Sequence, residues 1–146
     1  MILDEVEARM EGMHGTLVIR RPARGVVVVT FTGHDAGEFG DAPFVHLERL
    51  LPRDGQPVEL FIDARQGRAA SIDVSNEWAQ WLGRFRERFA HVSMLTGSRF
   101  IQLSADFVRR FAGLGEVMRI YTDPASFDSA LGSSLSAAWG PGQSRA

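Results

Sequence analysis

The chain contains no cysteine and no lysine. Without cysteine there is no disulfide framework, no thiol nucleophile and no thiolate metal site. All sixteen basic residues are arginine, which excludes Schiff-base lysines, phosphate-loop lysines and Ser-Lys dyads. Long apolar runs are missing too: the longest, Val26 to Val29, falls far short of the roughly 20 residues of a membrane-spanning helix. The net charge of -2 gives no bulk attraction to nucleic acid or to an anionic membrane, and neither partner is expected. The four histidines, His14, His34, His46 and His91, are scattered without the i,i+4 spacing of a helical metal site, so no metal or cofactor is expected. The segment MILDEVEARMEG is acidic and lacks the basic region and apolar core of a signal peptide; a cytoplasmic location is the expectation.

What is present is a globular composition. In 146 residues, 45% are hydrophobic and ten are Phe, enough for one domain that buries about 70% of its unfolded surface. Leu3, Val6 and Met10 stand at helical spacing, so residues 1–15 read as a short helix or arm. Thr16 to Arg21 and Val26 to Thr32, separated by a turn at Pro22 to Gly25, predict a hairpin whose four-valine strand is buried on both faces. A helix over Pro43 to Leu51 follows, ended by Pro52, Asp54 and Gly55.

The stretch Pro57 to Phe89 reads as a strand, a polar loop over Asp63 to Ser75, and an amphipathic helix. Val58, Leu60 and Ile62 face one way and Phe61 the other, while Trp78, Trp81, Leu82, Phe85 and Phe89 mark the helix's apolar face. The pattern repeats with a strand at His91 to Thr96 and a helix at Phe100 to Ala112, whose apolar face is read as Phe100, Leu103, Phe107 and Phe111. A last strand, Val117 to Tyr121, leads through Asp123 as N-cap and Pro124 at the first helical position into a helix carrying Phe127 and Leu131. Leu135 and Trp139 would extend that stripe, but Gly132, Ser133 and Ser134 argue for fraying, so 132–146 reads as a partly disordered extension of a 16–131 domain. The predicted order is β-β-α-β-α-β-α-β-α: an α/β fold with a mostly parallel five-stranded sheet and one antiparallel edge strand.

This order, FIDARQG after a central strand, the paired Trp of the next helix and the terminal RIYTDPASFDSAL resemble the STAS domains, and among them the small SpoIIAA-like proteins. The resemblance implies a non-enzymatic binding and regulatory module that acts through a protein partner, with a homodimer as a further expectation. In anti-sigma factor antagonists of this family a serine at the start of the helix after the third strand is phosphorylated. The corresponding positions here are Ser71 and Ser75, although the family's compact Asp-Ser-x-Gly is replaced by a longer, arginine-bearing stretch.

The partner or regulatory surface is therefore assigned to Asp63, Arg65, Arg68, Ser71 and Ser75, at the carboxyl ends of the strands where open α/β sheets meet ligands. Thr96, Gly97, Ser98 and Arg99 open a helix and form a candidate anion site. Two other readings are kept. Trp78 and Trp81 would line an apolar pocket for a small molecule or lipid, and Ser71 or Ser98 with His34 and Asp35 or Asp63 would form a hydrolase site, though no serine sits in a G-x-S-x-G elbow.

Overall fold

The computed structural model describes residues 6–138. The order is β1 (Val6–Glu11), β2 (Gly15–Ala23), β3 (Val26–Asp35), α1 (Ala42–Leu50), β4 (Val58–Ala70), α2 (Ile72–Arg84), β5 (Phe89–Thr96), α3 (Arg99–Phe111), β6 (Met118–Tyr121) and α4 (Pro124–Ala138). All six strands form one sheet in chain order, with β1 to β3 antiparallel and β3 to β6 parallel. The α/β architecture with a mostly parallel sheet is as read from the sequence, with one strand more.

That strand replaces the expected N-terminal helix. Val6 and Met10 are four apart, a spacing that suits a helix and also an alternating strand, and Ala8 between them completes the strand pattern. Ala8 and Met10 pack on the core, and Ala8 to Glu11 pair with β2. Leu3 lies outside the described residues, as do Trp139 and the tail that follows it.

Each parallel strand is added on the same side of its predecessor, so right-handed crossovers place α1, α2 and α3 on one face. Leu60 and Ile62 of β4 meet that layer, together with Phe44, Leu47, Trp81, Leu82 and Val108. α4 follows the last strand and crosses the opposite face, where Phe127 packs edge-on against Phe61 at 5.8 Å between ring centroids. The opposite orientations expected for Leu60 and Phe61 are thus observed. α4 does not fray at Gly132: the Ser134 hydroxyl donates to Glu59 at 2.9 Å, and Leu135 and Ala138 pack against the same cluster.

α2 and α3 approach closely because their facing residues are small. Ser75, Ala79 and Gly83 recur every fourth residue on α2 and are matched on α3 by Ala105 and Val108; a Cβ on Gly83 would lie 3.4 Å from the Ala112 Cα. The bulky side chains of α3 have no room in that contact. Phe100, Leu103 and Phe111 are 73%, 63% and 72% exposed, and the buried face is Ile101, Ala105 and Val108. Of the apolar stripe expected to face the core, Phe107 packs against it and the other three residues face outward.

The tryptophans are packing residues. Trp81 is buried against Phe44, Phe85 and Phe89 at centroid distances of 5.0 to 5.7 Å, and its indole N–H donates to Glu48. Trp78 meets Phe44 edge-on at 4.9 Å. α2 ends at Arg84, not at Phe89; a short 3-10 turn over Arg86–Arg88 then leads into β5, whose first residue is Phe89.

Candidate functional site at the carboxyl edge of the sheet

The stretch expected as a loop, Asp63 to Ser75, is mostly strand and helix. β4 continues to Ala70, pairing with β3 through Thr32–Gln66, Gly33–Gly67 and Asp35–Ala70, with register shifts after Thr30 and Gly33. Alternation fades beyond Ile62 because the bulges break the two-residue period. Gly67 permits the extension: a Cβ there would meet the Phe31 ring at 2.6 Å.

The five residues assigned to this surface divide into three groups. Arg65 is held by Asp63 at 3.0 Å and by Asp128 of α4 at 2.5 Å, and these two carboxylates raise its pKa further above the ordinary arginine value. It clamps α4 to β4. Arg68 is exposed and makes no ion pair among the described residues. Ser71 is the N-cap of α2, its half-buried hydroxyl accepting the Val74 N–H at 3.2 Å. Ser75, also a candidate for modification, is buried, and its hydroxyl donates back to the Ser71 carbonyl at 3.2 Å.

The Thr96–Arg99 turn is a closely bonded strand-to-helix junction. Thr96 is buried, and its hydroxyl accepts the Ser98 N–H at 3.0 Å. The Ser98 hydroxyl accepts the Ile101 N–H as N-cap of α3 and donates to the Arg68 carbonyl at 2.8 Å. Gly97 and Arg99 are exposed beside it. Thus Arg68 and Ser98 line an open groove together with Gly33, Gly67 and Gly97, while Ser71 and Arg99 lie outside its lining.

Sequence reasoning missed Asp35 as a structural centre. It ends β3, is buried, accepts the Gly37 N–H at 2.9 Å, and its carbonyl accepts the Ser71 N–H at 3.0 Å. Burial pushes its carboxyl pKa above the ordinary value, with Glu38 adding to the rise and the Gly37 N–H opposing it. A hydrophobic strand ending in a single Asp before a glycine-rich turn was the available signal.

Two alternative chemistries find little support. The cavity beneath α2 and α3, lined by Ile62, Trp78, Leu82, Met94 and Ile101 with Asp35, measures about 80 Å³, well below the roughly 300 to 1,000 Å³ of ordinary ligand pockets. The Ser71 and Ser98 hydroxyls bond to the backbone, and neither meets a histidine among the described residues. No group of three or more metal-ligating side chains is found there either, and no described helix is long and apolar enough to cross a membrane.

No family model matches the sequence, and no curated protein does. Solved structures do match. An uncharacterized protein of the DUF3478 family with a SpoIIAA-like fold, from Shewanella loihica, superposes with a TM-score of 0.60 at 13% identity, over 85% of this chain and 99% of that one. An anti-sigma factor antagonist from Mycobacterium paratuberculosis superposes with a TM-score of 0.53 at 15% identity, over 83% of this chain and 97% of that one. With the sheet order and helix placement described above, these likenesses identify the fold of this chain as SpoIIAA-like, that of the STAS domains.

Proposed function

We propose that this protein is a non-enzymatic STAS-like regulatory module that binds a protein partner through the carboxyl edge of its sheet, with Ser71 as the position where modification alters binding. Its fold likeness to an anti-sigma factor antagonist supports a regulatory role. The observation that supports the proposal is the Ser98–Arg68 hydrogen bond, which ties the end of β4, just before α2, to the cap of α3.

The chemistry of that surface suits a switch. A phosphate on Ser71 would sit at a helix N-terminus, where backbone N–H groups and the helix dipole favour an anion. It would convert the edge from a cationic surface carrying Arg68 and Arg99 to one with a compensating anion. Ser75 is poorly suited because its hydroxyl is buried.

The test is affinity capture from the native cell with cross-linking, comparing the wild type with Arg68→Glu and with Arg24→Glu, a control at the exposed turn between β2 and β3. A partner retained by wild type and Arg24→Glu but reduced at least tenfold with Arg68→Glu is expected. Identical protein sets for all three forms would remove the carboxyl edge as the binding surface.

A further inference from the structure

α3 presents its larger apolar residues to solvent and its smaller ones to the core. Phe100, Leu103 and Phe111 together expose on the order of 400 Å² of apolar side chain, taking roughly 200 Å² per aromatic ring. Phe107 lies between them half-buried against the core, with its ring 4.3 Å from that of Phe111. A patch of that size is among the largest a typical monomer exposes, and such patches are often functional. Its residues recur at three- and four-residue intervals over nearly the whole helix, so it matches the length and width of one amphipathic helix laid alongside.

The charge around the stripe selects the occupant. Arg99, Arg109 and Arg110 against Asp106 leave α3 at +2, in a chain of net charge -2. Asp106 is occupied by both Arg109 at 2.7 Å and Arg110 at 2.8 Å, while Arg99 makes no ion pair among the described residues. Beyond the C-terminal end of the stripe the Arg86 guanidinium approaches Gly113. A second copy would set one cationic helix against another. A partner helix carrying Asp and Glu beside its apolar anchors meets both the stripe and its rim.

We propose that the exposed Phe100, Leu103 and Phe111 of α3, with the half-buried Phe107 between them, dock an amphipathic helix of a partner protein whose apolar anchors are flanked by acidic residues. The inference rests on the reading of the chain as a protein-binding module and adds a second contact surface beside the carboxyl edge. Apolar burial supplies the attraction, and the arginine rim selects the orientation and excludes basic helices.

The experiment is selection on the full-length protein from a library of helical 18-residue peptides with fixed Leu anchors and flanking positions varied among Glu, Lys and Ser. Enriched peptides are expected to carry acidic flanks, to weaken as salt rises, and to bind at least tenfold more weakly to the double variant Phe100→Ser/Phe111→Ser. Both positions are solvent-facing, and circular dichroism and a thermal melt verify that the variant is folded. No enrichment, basic flanks, or unchanged binding by the folded double variant would overturn the proposal. So would co-sedimentation with phosphatidylglycerol vesicles that the double variant loses, which assigns the stripe to lipid. A dimer in light scattering that the double variant dissociates would overturn it in favour of a second copy. Arg68→Glu should leave peptide docking unchanged, so failure at the carboxyl edge and failure at the stripe are read separately.

Discussion

The Ser98 hydroxyl donates to the Arg68 carbonyl at 2.8 Å, so the cap of α3 holds the last residues of β4 in place before α2 begins. Two helix N-termini are thereby fixed relative to each other by one side chain. Ser98→Ala removes both this tie and the bond to the Ile101 N–H. A loss of about 1 kcal/mol is expected from the cap alone. Faster amide exchange should spread from Ile101 to Ser71, and exchange confined to α3 would show that the tie contributes nothing.

The two serines read as regulatory candidates should respond in opposite ways to Asp. Ser71→Asp keeps a capping oxygen at the start of α2, and stability is expected within about 0.5 kcal/mol of wild type. Ser75→Asp puts a carboxylate into the α2–α3 contact, where Ser75 is 7% exposed, and should cost more than about 2 kcal/mol. Urea denaturation of the two variants decides the comparison, and equal stabilities would contradict the packing described.

Asp35 supplies a pH dependence. Its carboxyl is raised in the folded state by burial, so its contribution to stability is greatest below the unfolded pKa and falls as pH rises through the folded value. Asp35→Asn retains an oxygen for the Gly37 N–H without the charge. The variant is expected to be at least as stable as wild type at pH 7, with the difference shrinking toward about pH 4. Paired urea titrations at both pH values check this, and a variant that is weaker only at pH 7 would reverse the sign assigned to burial.

Gly67 and Gly33 are needed for different reasons. Gly67→Val would drive a side chain into the Phe31 ring, and Gly33→Ala combines a φ of +81 with a Cβ against the His14 carbonyl. Each should cost about 1 to 3 kcal/mol. Thermal melts near wild type would show that the β3–β4 bulges relax freely.

The sequence was most readable where its period was clean. The buried valines of β3, the Leu60/Phe61 alternation and the Asp123–Pro124 helix start each have one favoured structural reading, and together they lead to the sheet and to its likeness with STAS domains. Val6 to Met10 misled because a four-residue interval also fits a strand. The end of β4 was obscured by bulges and by the glycine that Phe31 covers. α3 misled for a different reason: it carries two apolar rows, and only the small-residue face of α2 determines that the lighter row goes inward. At the candidate site the residue types were legible, but the pairing of Arg65 with Asp128 and the burial of Ser75 depend on tertiary contacts.

The dissociation constant of the captured partner, measured for wild type and Ser71→Asp under identical salt, tests the central claim most directly. A change of at least tenfold, with both proteins folded to the same extent, is the predicted result. Equal affinities for the two forms would contradict a regulatory contact at Ser71.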